Sequence, residues 1–134
     1  MYRKLSNIDF NFFIGQKVIE VRVDKNLPLV MIFESGRLIV ECPWRLHVKK
    51  EIAIGYSDCI HSPERYSHKK IEKILMEKGI VKILHFDEIS DLVVEFEGDV
   101  ILELFHDSNY FEGWQLSGDK GFDLVSLPGG SYSD

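Results

Sequence analysis

Asp24-Lys25-Asn26-Leu27-Pro28-Leu29-Val30-Met31-Ile32-Phe33-Glu34 lies over Asp87-Glu88-Ile89-Ser90-Asp91-Leu92-Val93-Val94-Glu95-Phe96-Glu97 with the same residue at the Asp, Leu, Val, Phe and Glu positions. After one deleted residue, Gly36-Arg37-Leu38-Ile39-Val40-Glu41 lies over Gly98-Asp99-Val100-Ile101-Leu102-Glu103. A further apolar segment introduces each copy, Val18 to Val23 in the first and Val81 to Phe86 in the second. Each copy reads as a three-stranded meander. Ser35-Gly36 and Glu97-Gly98-Asp99 sit where a tight hairpin needs a residue tolerant of positive φ. Internal duplication accounts for the shared order; chance similarity between strands rich in Val, Ile and Glu is the competing account.

Between the copies the pattern predicts one amphipathic helix, Pro63 to Lys78. Ser62 suits its N-cap, Pro63 its first position and Gly79 the residue past its end. Ile71, Ile74 and Leu75 form the apolar stripe, with Lys69, Lys70, Glu72, Lys73 and Glu77 around it. After the second meander, Trp114 to Leu116 and Phe122 to Leu127 read as a hairpin about Gly118-Asp119-Lys120-Gly121, followed by a loose tail from Pro128 to Asp134. The expected architecture is α+β: a mainly antiparallel sheet from two similar meanders, one helix between them, and a single domain over residues 1–134.

Charge divides the chain unevenly. Residues 80–134 carry twelve Asp and Glu against Lys82 and Lys120, whereas residues 1–79 carry fourteen Lys and Arg against ten acids; the halves stand at −10 and +4 and give the net −6. One-signed surface focuses field and speeds capture of an oppositely charged molecule. An acidic balance argues against nucleic acid as partner, because phosphate binding needs a basic stripe. No apolar run is long enough to span a bilayer, and the first residues lack the apolar stretch of a signal peptide, so no membrane association and a cytoplasmic location are expected. Cys42 and Cys59 are the two cysteines, and thiols are expected of them.

Four constellations bear on chemistry. Cys59-Ile60-His61 places a thiolate and an imidazole on one face of an extended strand, but the chain lacks the paired spacing of a structural zinc site, so no metal and no cofactor are expected. Glu41 and Glu103 occupy equivalent places in the aligned copies, where packing of the repeats would bring two carboxylates together for acid and base roles; a solvated face explains them equally. Cys59 with His61, or His106-Asp107 with a Ser, would be needed for nucleophilic catalysis, and neither lies in a strand-turn-helix elbow. No catalytic residue is assigned. Finally, Phe105, Tyr110, Phe111, Trp114 and Phe122 lie near Asp107, Glu112, Asp119 and Asp123. Aromatic anchors ringed by carboxylates suit an interface that captures a basic surface.

The stretch from Phe111 to Gly130 resembles the closing signature of a small bacterial domain family: an acid (Glu112), a Trp two residues later (Trp114), a Gly-containing turn, then an apolar strand closed by Pro128-Gly129-Gly130. Gly15-Gln16-Lys17-Val18 is similar to that family's N-terminal Gly-x-x-Val. Small acidic proteins of this kind resemble immunity proteins of bacterial polymorphic toxin systems. The resemblance implies an inhibitor that binds a cognate toxin domain, such as a nuclease, and carries over no catalytic residue. Asp87, Glu97, Asp99, Asp107, Tyr110, Glu112, Trp114, Asp119 and Asp123 are the expected partner-binding residues. A small hydrolase using Cys59, His61 or the Glu41 and Glu103 pair, and a ligand-binding or structural module with its site between the repeats, are the alternatives.

Overall fold

The computed structural model describes residues 3–24, 27–62 and 68–134. Its strands run β1 (Val18–Asp24), β2 (Leu27–Phe33), β3 (Gly36–Val40), β4 (Trp44–Val48), β5 (Glu51–Gly55), then β6 (Ile80–His85), β7 (Leu92–Phe96), β8 (Val100–Leu104), β9 (Trp114–Gly118), β10 (Asp123–Ser126) and β11 (Tyr132–Ser133). Two helices, α1 (Tyr56–His61) and α2 (His68–Leu75), lie between β5 and β6. The fold is α+β and dominated by antiparallel sheet. One sheet has the order β1-β2-β3-β9-β10-β11, the other β5-β4-β8-β7-β6. Period-two patterning drives this: Leu92, Val94 and Phe96 are buried while Val93 and Glu95 between them are half-buried. The inward rows of both sheets, with Phe13, Ile71 and Leu75, form one apolar cluster.

The two meanders are β1-β2-β3 and β6-β7-β8, each antiparallel within its own sheet. Each is followed by a hairpin that crosses to the opposite sheet: β4-β5 joins β8, and β9-β10 joins β3. The halves therefore exchange hairpins reciprocally. Equivalent pairs follow from register. Val40 faces Trp114 across β3 and β9, and Leu104 faces Trp44 across β8 and β4. A bulge interrupts β1 between Val18 and Glu20 and β6 between Ile80 and Lys82, leaving Ile19 and Val81 at matching places. Shared bulges mark common design, because each adds an unpaired residue that must be accommodated.

Equivalent residues also meet across a local twofold. Lys17 and Gly79 form an antiparallel bridge. Val18 N donates to Lys78 O (3.1 Å) and Ile80 N to Gln16 O (2.9 Å); Gly15 N donates to Ile80 O (2.8 Å) and Glu77 N to Val18 O (2.9 Å). Glu34 Oε1 accepts from Lys17 N (2.8 Å) as Glu97 Oε1 accepts from Gly79 N (2.7 Å). Gly15 and Glu77, at matching places, both take a left-handed φ, +90° and +66°. Such paired detail exceeds what chance similarity between strands supplies, and the duplication is structural as well as sequential.

Several expectations need correction. Gly36 and Gly98 are not equivalent: Phe33 pairs Gly36 but Phe96 pairs Val100, so the first turn has two residues and the second three. Of the two glycines Gly98, at φ +80°, uses left-handed backbone, as does Asp99 beside it at φ +59°, and Gly36 does not. The helix, described over His68–Leu75, ends short of Gly79, and Glu77 takes the left-handed place; the expected start, Pro63 to Ser67, lies outside the described residues. Ser62 closes α1, its N–H donating to Asp58 O (2.9 Å). Ile71 and Leu75 are fully buried as expected, and Ile74 half-buried. The tail is not loose, since β11 pairs β10 and Ser90 N donates to Gly130 O (2.8 Å). Among the described residues no helix is long and apolar enough to cross a membrane.

Candidate functional site

The two crossovers between sheets lie side by side at the end of the molecule away from the Lys17–Gly79 bridge. Glu41 N donates to Gly113 O (2.8 Å) and Phe105 N to Pro43 O (2.9 Å), again one relation stated twice. Their lengths differ. Residues 41–43 suffice between β3 and β4, whereas β8 and β9 are joined by residues 105–113.

The base of the longer crossover is firmly held. His106 Nε2 donates to Ser108 O (2.7 Å), its Nδ1 lies 2.8 Å from the Ser126 hydroxyl oxygen, and His106 N donates to Asp91 Oδ1 (2.8 Å). The Ser108 hydroxyl oxygen accepts from Tyr110 N (3.0 Å) and Phe111 N (2.9 Å). Gly113 sits against the imidazole, where an added Cβ would stand 2.4 Å from His106 Nδ1. From this base two rings project into solvent, Tyr110 at 79% and Phe111 at 74% exposure. Beside them is a cleft of about 410 Å³ lined by Glu41, Cys42, Asp107, Ser108, Phe111, Glu112 and Gly113.

A second cleft, about 500 Å³, lies elsewhere on the surface among Asp9, Asp87, Asp123, Asp134, Ile8, Phe122 and Tyr132. Tyr132 donates its hydroxyl to Asp87 (2.5 Å), which raises the phenol's pKa because the donated proton is held by a carboxylate. Among the described residues, neither cleft has a Lys or Arg in its lining.

The expected partner-binding residues do not share one face. The acidic half is split because its hairpin crosses over: Glu97 and Asp99 close the turn of β7 and β8 in one sheet, Asp119 and Asp123 belong to the β9–β10 hairpin of the other. Glu97 is occupied at Gly79 N, and Asp123 accepts from Gln115 Nε2 (2.9 Å). Asp87 lines the second cleft. Asp107, Tyr110 and Glu112 come together in the long crossover. Trp114 is not an exposed anchor: it is 1% exposed and donates its indole N–H to Ser90 O (2.8 Å). Glu41 and Phe111 complete the cleft with Cys42, Ser108 and Gly113; the sequence places Phe111 among the candidate interface aromatics and Glu41 only in a carboxylate pair. The signal lay in the sequence, as unequal spacing from each meander to Trp44 and Trp114.

The residues weighed for catalysis are dispersed. Glu103 accepts from Arg45 (2.7 and 3.3 Å) and contacts His47 Nε2 (2.8 Å), and the Arg45 hydrogen bond leads the causes that lower its pKa. Its register equivalent is Ile39, not Glu41, which is exposed beyond β3. Cys59 and His61 lie on helix α1 rather than a strand, so two residues' separation turns them to different faces. Burial pushes the Cys42 thiol up to about 12 and raises that of Cys59, leaving both as poor nucleophiles at neutral pH. Among the described residues, no group of three or more His, Cys, Asp or Glu is placed to hold a metal. Ser126 meets His106 as a nucleophile meets its base, but Ser126 is fully buried and touches the core instead of a cleft.

His85 belongs to the same interior network. Its ring contacts the hydroxyls of Ser6 (2.8 Å) and Ser90 (2.7 Å) and packs edge-on against Trp114 and Tyr132. Burial lowers its pKa to about 4 against the opposing pull of Asp87 and Asp134. Comparison with family models, curated proteins and solved structures finds no match to this chain.

Proposed function

We propose that this protein is an inhibitory binding protein of the immunity type, which captures a basic toxin domain, such as a nuclease, and blocks it sterically and electrostatically. The observation that carries the reading is the lining of the two clefts: seven carboxylates, Glu41, Asp107 and Glu112 in one and Asp9, Asp87, Asp123 and Asp134 in the other, with no cation in either lining among the described residues. Concave surface of one sign concentrates field where a protruding group of the partner must enter. The Lys and Arg that a nuclease uses for phosphate are the complementary groups. The dispersal of the catalytic candidates favours binding over hydrolysis.

The test needs the cognate toxin domain, which on this reading is the product of a neighbouring gene. Neutralising Asp107 and Glu112 together is expected to slow association by about tenfold at low salt and to flatten its salt dependence, because exposed charges are screened over about 8 Å at physiological ionic strength. Glu20→Gln with Glu51→Gln, exposed charges outside both clefts, is the control. Identical association rates for the two mutant sets at every salt concentration would defeat the reading.

A further inference from the structure

We infer that the partner docks on the long crossover, with Tyr110 and Phe111 entering its surface and the cleft among Glu41, Asp107 and Glu112 receiving one of its arginine side chains. This rests on the basic-partner reading and specifies where and how that partner is held.

The internal twofold supplies a control within the molecule. Both crossovers connect the same pair of strand positions, ending at Val40 and Leu104 and resuming at Trp44 and Trp114. Residues 41–43 accomplish this in one half. The six additional residues of the other half are therefore not needed to bridge the sheets, and they carry the two most exposed aromatic rings among the described residues. Exposed apolar surface costs solubility, and on loops longer than the connection requires it marks a binding segment.

Local bonding prepares the loop for contact. Ser108 is tied from both sides, its carbonyl accepting from His106 Nε2 and from Gly129 N (2.9 Å), its hydroxyl oxygen from Tyr110 N and Phe111 N. Backbone held this way loses little conformational freedom on binding, so the rings are presented without the added cost of ordering the loop.

The cleft specifies the chemistry of the incoming group. Its lining carries three carboxylates and a phenyl face among the described residues. A guanidinium is planar, stacks on aromatic rings and bonds carboxylates through two parallel N–H groups, whereas an ammonium offers a point charge. Arginine and aromatic residues are also the usual energetic centres of interfaces. The second cleft lacks such a combination: Phe122 and Tyr132 are half-buried, and Asp87 is already bonded to Tyr132. It contributes attraction at a distance.

Titrating the full, isotope-labelled chain with a hexa-arginine peptide and a hexalysine peptide, followed by amide shifts, tests this without the natural partner. The expected shifts centre on residues 107–113 and Glu41, with the arginine peptide bound about threefold more tightly than the lysine peptide. Tyr110→Ala with Phe111→Ala is expected to weaken arginine-peptide binding about tenfold while thermal stability stays unchanged, since both rings are exposed. Asp9→Asn with Asp134→Asn is expected to weaken it by no more than about twofold. Shifts centred on the second cleft, or undiminished binding by the aromatic double variant, would overturn the docking site and leave the basic-partner reading standing. Failure of wild-type protein to bind either peptide would remove both.

Discussion

The two halves agree where they touch each other and diverge where they meet solvent. Around the twofold, backbone bonds, bulges and the Glu34 and Glu97 contacts are reproduced within a few tenths of an ångström. On the outer faces the equivalences dissolve: Ile32 corresponds to Glu95, Ile39 to Glu103, Gln115 to Arg45 and Ser117 to His47. Residues at the axis must satisfy a partner that is nearly their own copy, so a change on one side breaks a bond on the other. Outward residues carry no such constraint. The crossovers follow the same division, since their backbone contacts to each other persist while the six added residues reach outward.

The equivalence of Trp44 and Trp114 yields the largest expected effect. Both are buried at the same place in their hairpins, so Trp44→Ala and Trp114→Ala should each cost about 3–5 kcal/mol in urea unfolding. A Trp114→Ala protein of unchanged stability that bound its partner poorly would instead restore Trp114 as an anchor and break the correspondence.

The halves differ in His85, whose place in the first copy is taken by Val23. An unfolded histidine titrates near 6.5, the folded one at about 4. Between these values the unfolded chain holds a proton that the folded chain does not, so stability falls as pH drops from about 6.5 towards about 4 and is level below. The loss should be on the order of 2 kcal/mol, less than the full shift implies, because the ring keeps two hydroxyl partners. His85→Gln, uncharged at every pH, should flatten this part of the stability profile. An equally steep decline in the variant would place the sensitivity elsewhere.

The smallest effect sharpens the symmetry itself. Glu34→Ala and Glu97→Ala each free one backbone N–H near the surface and should cost similar amounts, about 1 kcal/mol by denaturant midpoint. Losses differing by more than about 1 kcal/mol would show that the two contacts are alike in geometry alone.

Much of the fold was legible because its signals are local. The Leu-Val-x-x-Phe-Glu repeat marks β2 and β7 through period-two burial, and Gly118 to Gly121 announces the last hairpin. The β4–β5 hairpin was missed. Its turn is Lys49-Lys50, both at positive φ, which is not a composition that predicts such a turn. Tyr110 and Glu112, expected at a binding surface, are exposed in the long crossover, but Trp114, two residues further on, belongs to the core. Distance along the chain does not reveal where a loop ends and a buried strand begins.

By itself the sequence determined the strands of the two meanders, the repeated residue order and the charge imbalance, because each is a property of residue order and composition. Only the tertiary structure decided that the hairpins are exchanged. That exchange carries the acidic half into both sheets, so charge segregated along the chain does not become one acidic face. It likewise decided that Glu41 lies across a cleft from Asp107 and Glu112, 66 and 71 positions later in the chain. Such neighbours are created by the packing of two crossovers about a twofold, and that packing depends on contacts between residues far apart in the chain.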